Sequence, residues 1–228
     1  MKNSKCIFVF RAILFFLMVL FFSDQSVAQL KNLGIKGGLN LSNAELDYSK
    51  FGDVNYDSKT GFNVYLFYDF FNFKNVIISG EAGYNQKGFN QTVNASPGGV
   101  LPDLNYTLYN RLGYFDFNAI AQFILPGNSV SPYLSLGPVL SIKTSSSSSI
   151  TGSDYDTLIL SGANDLFDDL KSPVLGIMGG LGIQINKVIP QTLIIEVRYN
   201  ADITNSFKNS GLNYVRNYLW QFNIGIKL

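Results

Sequence analysis

The chain predicts an all-β fold: an eight-stranded antiparallel transmembrane β-barrel with long extracellular loops and short periplasmic turns. Three observations predict it. The first is the closing run, residues 218–228. Tyr218, Trp220, Phe222, Ile224, Ile226 and Leu228 occupy every second position there, and Gln221, Asn223, Gly225 and Lys227 lie among the positions between. Successive side chains of a strand point to opposite faces, so this run has one apolar face and one wet face. Its length suits a tilted strand crossing a bilayer. The second is composition. Charged residues make up 14% and aromatics another 14%, whereas soluble domains carry about 25% charge. The third is the lack, beyond residue 28, of any apolar run long enough for a membrane-spanning helix. A membrane chain of this kind has to cross with strands closed on themselves, because lipid satisfies no backbone polar group.

The N-terminus fits export. Lys2, Lys5 and Arg11 form a basic region, residues 13–22 are continuously apolar, and Ser26, Val27 and Ala28 supply small residues at a cleavage site. Residues 1–28 read as a cleaved signal peptide and 29–228 as a single barrel domain. Cys6, the one cysteine, leaves with the signal, so no disulfide framework is expected. Cleavage removes three of 17 basic residues and, with Asp24, one of 16 acidic ones, leaving 14 against 15. That balance gives no electrostatic case for nucleic acid.

Eight segments show the period of two. Residues 33–42 put Leu33, Ile35, Leu39 and Leu41 opposite Lys36, Asn40 and Ser42. Residues 59–69 turn Phe62, Val64, Leu66 and Tyr68 outward. Residues 76–90 carry Glu81, Asn85 and Lys87 on one parity. Residues 105–125 set Phe115, Phe117, Ala119, Ala121 and Phe123 against Asp116, Asn118 and Gln122. Residues 132–144 alternate Leu134, Leu136, Leu140 and Ile142 with Ser135, Ser141 and Lys143. Residues 173–186 do so with Leu175, Ile177, Leu181, Ile183 and Ile185. Residues 192–203 alternate Leu193, Ile195, Val197 and Tyr199 with Glu196, Arg198, Asn200 and Asp202. The eighth begins near Tyr214 and runs to the end. One parity is nearly free of charge in every segment, which suits lipid outside and a polar interior.

The connections alternate in length. Segments 70–75, 126–131 and 187–191 are short turns; 43–58, 91–104, 145–172 and 204–213 are long and polar. Outer-membrane barrels have this asymmetry, and an even strand number leaves both termini in the periplasm. The serine run 145–149 reads as the start of a flexible loop. Tyr106, Tyr109, Tyr114, Tyr199, Tyr214, Tyr218 and Trp220 read as an outer aromatic girdle, and Phe70, Phe71, Phe73, Phe123 and Tyr133 as one on the turn side.

The segments 34–42 (GIKGGLNLS), 80–88 (GEAGYNQKG), 132–138 (PYLSLGP), 179–183 (GGLGI) and 196–199 (EVRY) leading into 202–205 (DITN) resemble the PorT family of outer-membrane β-barrels. That family is typical of Bacteroidota and is similar in architecture to small OmpA- and OmpX-like barrels. The resemblance spans the mature chain. It implies an outer-membrane address, insertion by the barrel-assembly machinery, and a link to secretion machinery for some members. Membership of a functional subgroup stays open.

The wet parity collects the candidate functional residues: Lys36, Glu81, Lys87, Asp116, Glu196, Arg198, Asp202 and Lys227. Of these, Lys36, Glu81, Asp116, Glu196, Arg198 and Lys227 are expected to form a luminal polar network that is structural, since an eight-stranded barrel is just wide enough to be filled by side chains. The alternative is a polar conduit for small solutes. Asp154, Asp156, Asp165, Asp168 and Asp169 share the longest loop but lack the spacing and glycine of an EF-hand, so no metal is expected. Gly176, Gly179, Gly180 and Gly182 lack the Lys-Ser/Thr of a phosphate loop and read as relief of crowding in the wall. The chain has no histidine, the usual proton carrier near neutral pH. No spacing suggests a Ser-Lys or carboxylate mechanism. The expected function is therefore a monomeric structural or partner-interaction protein without cofactor, in contact with outer-membrane lipid, with a protein partner at loops or periplasmic turns.

Overall fold

The computed structural model describes residues 31–46, 54–95, 104–152, 172–186, 190–204 and 215–228. The expected signal peptide, Tyr214 and the five loop aspartates lie outside them. Eight strands follow in order: β1 (Leu33–Leu46), β2 (Val54–Asn72), β3 (Val76–Ala95), β4 (Leu104–Ile124), β5 (Val130–Gly152), β6 (Val174–Ile185), β7 (Thr192–Asp202) and β8 (Val215–Lys227). Each pairs antiparallel with the next, and β8 returns to β1, so the sheet is a closed barrel. The seam runs from Gly34 opposite Lys227 to Leu46 opposite Val215. Leu228 N adds a bond to Leu33 O at 2.9 Å. Closure leaves the spanning backbone no exposed edge, which is the condition lipid imposes.

Parity sets the faces. Leu39, Leu66, Phe117, Leu134, Leu181 and Ile224 face outward and are exposed, while Lys36, Asn63, Glu81, Asp116, Ser135, Arg198 and Asn223 are buried inside. The outward positions from Phe62 to Phe70 on β2, Phe115 to Phe123 on β4, and Leu134 to Ile142 on β5 carry no charged residue. Nine residues of a tilted strand span most of a hydrocarbon layer. This uncharged belt is the lipid-facing band.

Several boundaries differ from the pattern. β2 starts at Val54 and β3 runs to Ala95. The largest correction is in β5, which continues through the serine run that reads as a loop start. Ser145 to Ser149 pair with Gly113 to Tyr109 of β4, and Ser148 Oγ donates to Asn110 Oδ1 at 2.8 Å. Serine has no strong strand preference, but a neighbouring strand of equal length supplies partners for its backbone groups. As a result β2 to β5, at 19 to 23 residues, outreach β6 to β8, at 11 to 13. A four-stranded wall rises above the band on one side of the barrel.

Two aromatics leave the expected girdles. Tyr114 and Tyr133 are buried in the interior, because both fall on the luminal parity of their strands. Tyr109, Tyr199 and Trp220 do face outward at the long-loop end, as do Phe70, Phe71, Phe73 and Phe123 at the turn end.

Candidate functional site in the barrel lumen

The luminal parity stacks polar side chains in tiers. At the turn end Lys227 Nζ lies 3.1 Å from Asp69 Oδ2, and Gln184 Nε2 donates to Gln122 Oε1 at 3.4 Å. Above them Phe67, Tyr133 and Ile194 form an apolar layer. Glycine makes this layer fit: a Cβ on Gly182 would collide with the Tyr133 ring, and one on Gly34 with the Phe67 ring.

The next tier holds the main charge cluster. Arg198 of β7 donates through both terminal nitrogens to the two carboxylate oxygens of Glu81 on β3, each at 2.7 Å. Its Nε lies 2.7 Å from Glu196 Oε2. Lys36 of β1 contacts Glu81 and reaches Glu196 Oε2 at 3.2 Å. Asn118 donates to Glu81 at 3.2 Å and Ser135 to Glu196 at 3.1 Å. Strands β3 and β7 are four apart in an eight-stranded ring, so the bidentate Arg198–Glu81 bridge crosses the lumen at its full width. Two cations face two carboxylates, all four fully buried at the side chain or nearly so. Burying such charge is tolerable only when it is paired and hydrogen-bonded, and here it is both.

Above this cluster an amide tier links β1, β2 and β3. Asn40 Nδ2 donates to Asn85 Oδ1 at 2.7 Å, and Asn63 Nδ2 to Asn40 Oδ1 at 2.6 Å. Asp116 accepts from Asn85 at 2.6 Å and from Tyr65 OH at 3.2 Å, while Gln221 donates to Tyr65 OH at 3.2 Å. Higher still, Lys87 Nζ bonds Ser141 Oγ and Asp202 Oδ1 at 3.2 Å each and sits 4.9 Å from the Tyr114 ring centroid. Lys87 and Asp202 also span β3 to β7.

The six residues picked out in the sequence therefore separate. Lys36, Glu81, Glu196 and Arg198 form one cluster. Lys227 pairs with Asp69 near the turns, and Asp116 sits among neutral donors, with no ion pair among the described residues. Sequence reasoning missed Asp69, Tyr65 and Asn63 as partners that complete the tiers, placed Tyr114 in a girdle, and set Asn40 and Asn85 on the wet parity without naming what they meet. Strand parity points inward for the asparagines, but it does not say who faces whom. Chemically Glu81 and Glu196 are committed to cations, an amide and a hydroxyl, while one oxygen each of Asp69 and Asp116 has no partner among the described residues. Among the described residues no group of three or more His, Cys, Asp or Glu is placed to hold a metal ion.

Solved barrels to which the chain is similar include Neisserial surface protein A, at 14% identity over 86% of this chain and 97% of that one, with a TM-score of 0.43. Ail, the attachment invasion locus protein of Yersinia pestis, gives 18% identity over 85% and 96%, with a TM-score of 0.38. OprG from Pseudomonas aeruginosa gives 16% identity over 86% and 95%, again at 0.38. No curated protein sequence matches the chain. The sequence pattern of the outer membrane protein beta-barrel domain matches residues 25–208, well over half of the 228. Taken with the closed eight-stranded barrel and its uncharged outer band, that match means the chain belongs to the family of outer membrane protein beta-barrel domains.

Proposed function

We propose that this protein is a non-conducting, monomeric outer-membrane barrel with a structural or partner-binding role, and that it is not an enzyme. The observation that carries this reading is the Arg198–Glu81 bridge, which ties opposite walls together at mid-lumen. Lys87–Asp202 repeats the tie one tier higher. A lumen crossed twice by buried ion pairs suits a rigid stave rather than a pore. The lack of histidine and the commitment of Glu81 and Glu196 to cations favour a non-enzymatic role. A partner would then meet the outer loops, the raised wall of β2 to β5, or the periplasmic turns. The resemblance to the PorT family makes secretion machinery the first class of partner to test, and the barrel-assembly machinery the transient partner during insertion.

Planar-bilayer recording tests the closed lumen. The purified barrel should insert without steady conductance, and a persistent open state would overturn the reading. In-cell crosslinking should recover a discrete protein partner that is lost when an outer loop is deleted.

A small-solute channel is the second reading, and one observation favours it. Asp116 Oδ1, Asn200 Oδ1 and Asn217 Oδ1 are buried acceptors with no partner among the described residues, as in a hydrated path. The same recording separates the two.

A further inference from the structure

The outer face of the raised wall changes character just above the lipid-facing band. On β2 the apolar series ends at Phe62, and the register shift between Ser58 and Asn63 brings Lys59, half-buried, round to the groove. On β4 it ends at Phe115, and Arg111 lies four residues beyond. On β5 it ends at Ile142, and the register shift opposite Gly113 and Tyr114 brings Ser145, Ser147 and Ser149 to the face that carries Arg111. These positions lie at the height where hydrocarbon gives way to headgroups.

The register gathers them into two rows. Arg111 stands opposite Gly88 of β3 on one side and Ser147 of β5 on the other. The Lys59 stem passes over Gly88, where an added Cβ would come within 3.1 Å of Lys59 Cδ. Glycine thus opens the path by which Lys59 reaches from β2 toward β4. The row above contains Asp57, Asn90, Tyr109 and Ser149. Lys59 Nζ lies 5.8 Å from the Tyr109 ring centroid. Lys59, Asn90, Tyr109, Arg111, Ser147 and Ser149 line an open groove of about 350 Å³.

Among the described residues no acid neutralises the two cations. No ion pair joins Lys59 or Arg111 to any described residue. Asp57, the one acid in the rows, is exposed, lies on the side away from the membrane, and pairs through its backbone with Asn90. Two like charges held together around hydroxyls and an amide form a site that an anion would stabilise.

We propose that this groove binds the phosphate of an outer-leaflet lipid headgroup, Arg111 and Lys59 gripping the oxygens and the serine hydroxyls 147 and 149 completing the contact. Free phosphate has the same chemistry. The lipid source is favoured because the groove opens on the outer wall directly over the lipid-facing band, so a lipid whose chains lie against Phe62, Phe115 and Ile142 presents its headgroup there. Arginine suits the fork of phosphate oxygens, and lysine adds a point charge.

Native mass spectrometry of the full barrel in neutral detergent tests it, with phosphatidic acid as the lipid probe and inorganic phosphate alone as the second. Lys59→Gln and Arg111→Gln should each weaken the first phosphatidic acid by about fivefold, the effect of one basic residue near a membrane surface, and the double variant should weaken it more. Lys74→Gln, an exposed cation at the opposite end of the barrel, should change nothing. Heat-modifiable gel mobility confirms that every variant is folded. Equal affinity in the wild type and the double variant would overturn the site. So would an equal loss in Lys74→Gln. Inorganic phosphate binding as tightly as the lipid would overturn the assignment to a lipid.

Discussion

Arg198 shows what a single residue does here. It joins Glu81 and Glu196, while Lys36 balances the cluster. Arg198→Met leaves two buried carboxylates facing one cation. Breaking a buried pair in this way costs about 3–5 kcal/mol, so the urea midpoint for loss of the heat-modifiable folded band should fall clearly. Glu81→Met added to Arg198→Met leaves the Lys36–Glu196 pair intact and neutral, and should recover most of that loss. If the double variant is as unstable as the single one, the cluster is not a self-contained charge unit. Gly180 supports the same arginine. A Cβ there would lie 2.8 Å from both Ser135 Oγ and the backbone oxygen of Val197, and 2.9 Å from Arg198 Cγ. Gly180→Val should therefore lower the midpoint by displacing Arg198, and the effect should shrink when Arg198 is already Met.

At the scale of the element, β5 is the instructive case. Its lower half alternates as a spanning strand should, and its upper half is a run of serines whose composition suggests a loop. The ladder to β4 makes it a strand nonetheless. Hydrogen exchange decides between the two descriptions. The amides of residues 145–149 should exchange in step with their β4 partners 109–113, far more slowly than an open loop. Fast exchange through the serine run would restore the loop. The same pairing brings Arg111 beside Ser147, so the anion groove exists only if the upper ladder does. Tyr114 and Tyr133 teach the reverse lesson. Both look like girdle residues by type, yet strand parity turns them into the lumen, where Tyr114 lies against Lys87 and Tyr133 packs with Phe67 and Ile194.

For the whole molecule, the uncharged band makes a depth prediction. Ile224 is 63% exposed near the middle of the lipid-facing stretch of β8, and Leu228 is exposed at its turn-side end. An arginine at the bilayer midplane costs about 2–4 kcal/mol, falling toward zero at the interface. Ile224→Arg should sharply reduce the folded fraction after insertion into vesicles, and Leu228→Arg should reduce it much less. Equal penalties would misplace the band.

The sequence by itself determined the strand count, the alternation of short turns and long connections, and which parity meets lipid. Each of these is a local property, carried by a period of two and by where apolar residues stop. Lys36, Glu81, Glu196 and Arg198 were likewise legible as inward. Only the tertiary structure decided that Glu81 meets Arg198 across the barrel, that Lys227 pairs with Asp69, and that Asp116 accepts from Asn85 and Tyr65. It alone carried β5 through the serines and set Lys59 beside Arg111. The physical reason is stagger. Which residues share a level of the lumen, or a row of the wall, depends on the register summed around eight strands and on the bulges that shift it. No segment of a single strand contains that sum.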